Sequence, residues 1–408
     1  MKCRFCQHKL HHEFIDLGAT PPSNSFLTKD QLNEPEVFYP LKLYVCENCF
    51  LVQVDEYKKS AEIFNQNYAY FSSFSTSWLE HAKKYVALIT EKLELTGKAY
   101  VIEIASNDGY LLQYFKEKQI PCLGIEPSAN TAKAAREKGI ETLEAFFGVD
   151  LAQRLFQQGK TANLIIGNNV LAHVPDINDF VAGLKIVLKN DGVVTMEFPH
   201  LMRLVEENQF DTIYHEHFSY FSFHTVRHIF ANHGLIVFDV EEIPTHGGSL
   251  RIYAGHHEDN SKPITKAVAG LLKKETAKGM LKLDYYQNVQ QKADKVKYEL
   301  LEFLIEQKIR GKKVVAYGAA AKGNTLLNYC GVKRDLIEFV VDASPHKRGK
   351  FTPGSHIPIV SPSALIEYQP DWVVIFPWNI ANEVIRQQGS VRDWGGKFVV
   401  AVPELELL

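Results

Sequence analysis

The chain has 408 residues, 46% hydrophobic and 23% charged, with a formal net charge of -3. That length exceeds one ordinary domain, and the composition is globular. The weakly acidic balance lacks the basic field of a nucleic-acid or membrane-surface binder, so neither is an expected partner.

The chain opens Met1-Lys2-Cys3-Arg4-Phe5-Cys6, without the apolar core of a signal peptide, and no run reaches the length of a membrane span. Cytoplasmic placement is the expectation. Residues 1–60 read as a turn-rich first unit carrying two Cys-x-x-Cys pairs, Cys3/Cys6 and Cys46/Cys49. Each pair sets two thiolates on one side of a tight turn, and two pairs supply the four soft ligands of a tetrahedral Zn²⁺ ion. Four thiolates leave no open coordination position, so the expected metal is structural. The rival reading is a redox pair, which normally sits beside a βαβ unit. His8, His11 and His12 read as surface histidines.

The second unit spans 61–262. Leu79, Ala82, Val86 and Ile89 predict an amphipathic helix over 80–94. Strands are predicted at 99–104, 122–125, 162–167 and 192–197, and helices at 110–118, 130–138 and 177–188. Near-continuously apolar strands alternating with helices predict a parallel sheet covered on both faces. The third unit spans 263–408. It begins with a polar helix pair to about residue 310, its charges a solvated face. A smaller Rossmann-like repeat follows, with strands at 312–317, 339–342 and 371–376.

A nucleotide cofactor meets the turn after the first strand of such a sheet. Here that turn is Ala105-Ser106-Asn107-Asp108-Gly109, and its single glycine argues against a pyrophosphate-bearing dinucleotide. Glu103 and Asp108 serve either the loop or a cofactor's cationic end. Glu126, about 20 residues on, is placed to accept ribose hydroxyls. A sulfonium plus ribose without phosphate fits these acids; the bland alternative is a generic α/β turn with a capping Asp. Asn168, Asn169 and His173 follow a later strand and would face the cofactor. Phe146 and Phe147 line an adenine pocket or simply fill core.

Tyr214-His215-Glu216-His217 crowds proton-transfer groups among aromatics, which suits a partly desolvated acid–base site rather than a polar surface turn. His246-Gly247-Gly248-Ser249-Leu250-Arg251 suits a pyrophosphate or sugar hydroxyls, or is an ordinary hairpin turn. Tyr317-Gly318-Ala319-Ala320-Ala321-Lys322-Gly323-Asn324 opens a helix after a strand, with Lys322 adding charge for a phosphate.

Taken together and in this order, these motifs make the chain resemble the nucleotide-sugar C-methyltransferases, in particular the C-3 methyltransferases of 4-keto-deoxysugars. The resemblance spans almost the whole chain. It implies an α/β architecture: a class I S-adenosylmethionine-methyltransferase Rossmann-like core, a small N-terminal zinc-binding domain and a C-terminal Rossmann-like domain. It implies S-adenosylmethionine and structural Zn²⁺ as cofactors and a nucleotide sugar as substrate. It places a base at His217, with Tyr214 stabilising the enolate and Glu216 orienting the site or standing in as base. Expected cofactor contacts are Glu103, Ser106, Asn107, Asp108, Gly109, Glu126, Phe146, Asn168, Asn169 and His173. Expected substrate contacts are His246, Gly247, Ser249, Arg251, Tyr317, Lys322 and Asn324, with the third domain closing over the nucleotide. Rival readings are an O- or N-methyltransferase, a non-enzymatic zinc- and nucleotide-binding regulator, and an NAD-dependent oxidoreductase, which the loop chemistry disfavours. The sugar, its nucleotide (dTDP, GDP or another) and the oligomeric state stay open, a monomer being compatible.

Overall fold

The computed structural model describes residues 1–59, 62 and 70–408, so the expected boundary at 60/61 lies outside the described residues. Strands β1 (His12–Thr20), β2 (Tyr39–Val45) and β3 (Val52–Val54) form an antiparallel ladder, with His12 opposite Val45 and Leu43 opposite Val54. Both cysteine pairs close the same turn. The Gln7 N–H donates to the Cys3 carbonyl at 2.9 Å, and the Phe50 N–H to the Cys46 carbonyl at 2.8 Å. A left-handed residue ends each turn, Gln7 at φ 62° and Phe50 at φ 58°. A strand from far along the chain, Ser219–Tyr220, pairs with β3, so this small sheet is completed by the second unit.

The first long helix, α1, spans Thr76–Lys92 and starts earlier than the periodicity predicts. Ser75 explains the shift: its side chain accepts from the Trp78 N–H and caps the helix. There follow β4 (Val101–Ile104), α2 (Leu112–Glu117), β5 (Cys122–Ile125), α3 (Ala129–Glu137), β6 (Thr142–Leu143) and α4 (Val149–Gln157). Next come β7 (Ala162–Asn168), α5 (Ile177–Val187), β8 (Leu188–Pro199), α6 (Leu201–Glu206) and β9 (Ser219–Tyr220). The unit closes with α7 (Phe223–Asn232), β10 (Leu235–Ile243) and β11 (Ser249–His256). The sheet order is β10-β11-β8-β7-β4-β5-β6, parallel from β8 to β6, with β11 antiparallel to both neighbours. β8 runs past residue 197 because β11 pairs with it as far as Pro199, opposite Ser249. The chain moves outward from β4 to β6, then returns to β7 on the other side. That reversal leaves a crevice beyond the carboxyl ends of β4 and β7, where ligands bind in open parallel sheets.

Helices α8 (Lys266–Lys278) and α9 (Val289–Ile309) are parted at Gly279, φ 87°. The polar α9 buries one stripe: Val289, Ala293, Val296, Leu300 and Leu304 join a core that reaches β2 on one side and the third unit on the other. That unit comprises β12 (Val314–Tyr317), α10 (Ala321–Cys330), β13 (Val340–Val341), β14 (Ile359–Val360), α11 (Ser363–Tyr368), β15 (Trp372–Ile375), α12 (Ala381–Gln387), β16 (Lys397–Val400) and β17 (Glu406–Leu407). Its order, β14-β13-β12-β15-β16-β17, reverses direction at β12/β15 and so creates a second crevice of the same kind.

One buried carboxylate joins α8 to this framework. Glu275 accepts from His200 Nε2 at 2.7 Å, and from the Phe223 and His224 N–H groups at 2.6 and 2.8 Å, at the start of α7. Glu275→Ala orphans two amides and an imidazole, and should lower the unfolding free energy by about 3 kcal/mol. Urea denaturation measures it; a loss below about 0.5 kcal/mol, the range of an ordinary surface change, would contradict the assignment.

Candidate active site

The four cysteine sulfurs of the two knuckles lie within 4.8 Å of one another, with Cys3 and Cys49 at 3.6 Å and Cys6 and Cys46 at 3.5 Å. A tetrahedron of thiolates around zinc has sulfur–sulfur edges of about 3.8 Å. Those two edges lie close to that value, and the four sulfurs are gathered as a tetrahedral site requires. Cys46 and Cys49 hold the Cys3 thiol below its usual range by hydrogen bonding, and Gln53 Nε2 donates to the Cys3 sulfur at 3.3 Å. His8 and His12 lie outside the cage and share the Glu47 carboxylate.

The loop after β4 alternates left-handed residues: Ala105 (φ 55°), Asn107 (φ 51°) and Gly109 (φ 73°). It keeps the backbone of a glycine-rich turn with one glycine, which is needed because a Cβ at Gly109 would meet Ile140 Cδ1 at 2.4 Å. A left-handed non-glycine residue costs about 1–2 kcal/mol, and such strain collects at ligand sites. Glu126 braces the turn, accepting from the Asn107 N–H at 2.9 Å and the Ser128 N–H at 2.8 Å. Each of its oxygens keeps a lone pair for a hydroxyl. Asp108 is bonded to Lys138 Nζ at 3.1 Å. Asn107 ties the loop to the segment before α1, donating to the Tyr70 carbonyl and accepting from the Ser72 N–H.

Both carboxylate oxygens of Glu103, the Ser106 hydroxyl and both amide atoms of Asn168 are buried with no hydrogen-bond partner among the described residues. Burial, reinforced by Asp108 and Glu126, holds Glu103 well above the usual carboxylate range. Buried polar groups are normally paired. A cationic, hydroxyl-bearing cofactor would pair these. The Phe146 ring is 48% exposed at the edge of this crevice's loops, while Phe147 packs edge-on against Phe180.

The Tyr214–His217 segment meets two further histidines, His173 and His246, in a buried cluster. His217 Nδ1 donates to the Thr212 carbonyl at 3.1 Å, so Nε2 carries the lone pair and accepts from the Tyr214 hydroxyl at 2.6 Å. The His173 ring stands edge-on to His217 at 4.6 Å, and its Nδ1 donates to the Glu216 carbonyl at 2.8 Å. His246 Nε2 accepts from Asn169 Nδ2 at 2.8 Å. Burial holds His217 well below the usual imidazole range and pushes His173 and His246 down to about 4, so all three are neutral near pH 7. Burial pushes Glu216 up to about 7; both its oxygens accept from Asn24 Nδ2, at 2.9 and 2.8 Å. From the second crevice, Lys322 Nζ donates to Asn379 Oδ1 at 2.6 Å and sits 4.5 Å over the Trp378 ring. Trp378 Nε1 in turn donates to Asp211 Oδ2 at 2.8 Å. Trp378 and Lys322 of the third unit thus approach the segment that carries His217.

Three family models match the chain: a zinc binding domain over 3–64, a methyltransferase domain over 78–240 and a C-methyltransferase C-terminal domain over 244–403. The C-methyltransferase NovU of Streptomyces niveus is 33% identical over 99% of this chain and 96% of its own length. The chain belongs to the C-methyltransferase family. This C-methyltransferase is S-adenosylmethionine-dependent, has a Rossmann-like fold and carries its zinc in the N-terminal unit. Among solved structures, magnesium protoporphyrin IX methyltransferase from Synechocystis PCC 6803 is similar at 15% identity and TM-score 0.34, over 43% of this chain and 78% of its own. A protein of Pyrococcus horikoshii OT3 is similar at 15% identity and TM-score 0.38, over 49% of this chain and 99% of its own. Likeness that distant carries no weight for function.

In this C-methyltransferase three of the expected substrate contacts are engaged inside the protein. Arg251 is buried and engaged: Nε and one terminal nitrogen meet Glu197 Oε1 at 2.7 and 2.5 Å, and the other nitrogen meets Glu241 at 3.0 Å. It neutralises a carboxylate inside the sheet and has no free fork for a pyrophosphate. Ser249 closes its own turn, donating to the Thr245 carbonyl at 2.8 Å. Tyr317 packs in the core of the third unit with Val341 and Ile375. Gly247 lies against Trp378, where a Cβ would meet the ring at 2.5 Å, so it is a point of closure between units. Asn324 donates to the Ser23 carbonyl at 2.6 Å and keeps a buried Oδ1 with no partner among the described residues. Sequence reasoning missed Asn24, Asp211, Trp378 and Asn379. Each acts through a partner far along the chain, so no local pattern marks it.

Glu126→Gln removes the charge that braces the turn after β4, and tests whether that turn holds the cofactor's hydroxyls. Its loss should weaken S-adenosylmethionine binding tenfold or more, about 1.5–3 kcal/mol for bonds to a charged group. Calorimetric titration reads this directly, and unchanged affinity would remove Glu126 from the cofactor site.

Proposed function

We propose that this C-methyltransferase methylates carbon 3 of a nucleotide-linked 4-keto-deoxysugar, as a step in branched-chain deoxysugar biosynthesis. The supporting observation is the neutral His217, whose Nε2 lone pair accepts from a mobile hydrogen, that of the Tyr214 hydroxyl. A carbon beside a ketone is acidic enough for an imidazole base, because its charge moves to oxygen as an enolate. His217 Nε2 takes the carbon-bound proton. The Tyr214 hydroxyl turns from Nε2 to the enolate oxygen and stabilises it, as an oxyanion donor does. Glu216, ionised above about pH 7, balances the imidazolium that results. S-adenosylmethionine, when bound, supplies an electrophilic methyl group. Lys322 brings positive charge from the third unit toward the nucleotide. In this reading residues 1–60 hold the zinc, 61–262 the cofactor and the base, and 263–408 close over the nucleotide. We place the enzyme in the cytoplasm, acting on a small molecule.

Incubation with S-adenosylmethionine and a panel of dTDP- and GDP-linked 4-keto-deoxysugars should give one product heavier by CH2, a methyl in place of a hydrogen, located at carbon 3 by mass spectrometry and NMR. Methylation at oxygen or nitrogen would overturn the reading. In deuterated water without cofactor, the wild type should wash deuterium into carbon 3 and His217→Asn should not. Full exchange by that variant would move the base elsewhere.

The pH profile distinguishes the two acids. Glu216 is charged above about pH 7, and His217 titrates well below that. The wild-type kcat/KM should therefore rise through about pH 7, and the rise should vanish in Glu216→Gln, whose residual rate is flat there. A rise surviving in that variant would belong to another group.

A further inference from the structure

Arg4 sits inside the first zinc knuckle, between two of the cysteines, yet its side chain does not serve the metal. One terminal nitrogen donates to the Pro175 carbonyl at 2.8 Å, and the other to the Val54 carbonyl at 2.5 Å. Its guanidinium carbon lies 5.3 Å from the centre of the Phe218 ring. Its own N–H is held by Gln53 Oε1 at 2.9 Å, the same Gln53 whose amide donates to the Cys3 sulfur. Asn178, in the first turn of α5, donates to the Arg4 and Phe5 carbonyls at 3.2 and 2.9 Å.

Two of these contacts, on Pro175 and Phe218, reach the two segments that carry the acid–base cluster, while Val54 and Gln53 hold Arg4 to β3. Pro175 ends the loop that bears His173, and Phe218 directly follows His217. The same segments meet through the Phe218 N–H, which donates to the Ala172 carbonyl at 2.8 Å, and through His173 Nδ1 on the Glu216 carbonyl. Arg4 is the third tie, and the one that comes from the knuckle. A guanidinium satisfies two carbonyls and a ring face at once, because its planar fork is rigid; an ammonium does not. We propose that Arg4 is a positioning residue for methyl transfer: the zinc knuckle presents it so that it locks the His173 loop to the His217 segment. The zinc unit then sets the geometry of the acid–base cluster, beyond stabilising its own small sheet. This rests on the proposed role of His217.

The test uses full-length, zinc-loaded Arg4→Ala and Arg4→Lys, with zinc content measured by mass spectrometry and S-adenosylmethionine affinity by calorimetry. Turnover is followed on whichever dTDP- or GDP-linked 4-keto-deoxysugar the wild type methylates. The expected result is one zinc per chain, cofactor Kd and sugar KM within about twofold of wild type, and kcat lowered about a hundredfold in Arg4→Ala, the scale of an ångström-sized misplacement. Arg4→Lys should fall between, with charge kept and the fork lost. Unchanged kcat in both variants overturns the proposal. So does a joint loss of zinc, cofactor affinity and kcat in both, which would make Arg4 a structural joint only. If the wild type methylates none of the sugars, it is the assigned substrate that fails. The locking is then decided by hydrogen–deuterium exchange: faster exchange in Arg4→Lys confined to peptides covering 170–176 and 212–218 supports it, and unchanged exchange there overturns it.

Discussion

The hydrogen bond from His217 Nδ1 to the Thr212 carbonyl decides which imidazole nitrogen faces the crevices, and much of the molecule is arranged to hold that carbonyl still. Asp211, just before it, is gripped by the Trp378 indole from the third unit. The Ile213 carbonyl, just after it, accepts from Thr325 on α10 at 2.8 Å. The turn around Thr212 is therefore pinned from both sides by the third unit, whose fold has no local relation to the histidine it orients. A tautomer set this way persists because exchanging the proton would leave two groups unpaired in a buried site.

The same accounting separates the two buried carboxylates of the methyltransferase sheet. Glu197 is matched by Arg251 and by His81 at 2.9 Å, and these partners hold it below the usual carboxylate range although burial alone would raise it. Glu103, on β4, has no cationic partner among the described residues, only the Tyr110 hydroxyl nearby, and burial drives it upward. The contrast assigns opposite roles to residues that the sequence presents alike, as single acids inside apolar strands.

That contrast also marks how far local pattern carries. The zinc cage was legible because its ligands come in pairs at fixed spacing and the turn that joins them is short. The order of sheet elements was legible because buried parallel strands are apolar throughout and helices are striped. The start of α1 was misjudged because a cap at Ser75 outweighs the first apolar position of the stripe. The pairing of Arg251 was hidden for a different reason. A basic residue shortly after two glycines suits an anion, and its partner, Glu197, faces it only through the antiparallel pairing of β11 with β8. Without the register, the pairing cannot be read.

The inserted β9 shows why the three units act as one. Two residues, Ser219 and Tyr220, complete the zinc unit's sheet, and they follow the acid–base tetrad almost directly. The Tyr220 hydroxyl accepts from the Tyr214 N–H at 3.2 Å, so the strand that seals one unit also braces the tetrad of another. The tetrad is thus held at its far end by the small sheet and at its near end, through Asp211 and Ile213, by the third unit. The tetrad is also tied within its own unit, by the Phe218 N–H on the Ala172 carbonyl and His173 Nδ1 on the Glu216 carbonyl. Three units thus meet at one short segment, and the buried stripe of α9, which packs against the small sheet and the third unit, opposes their relative motion.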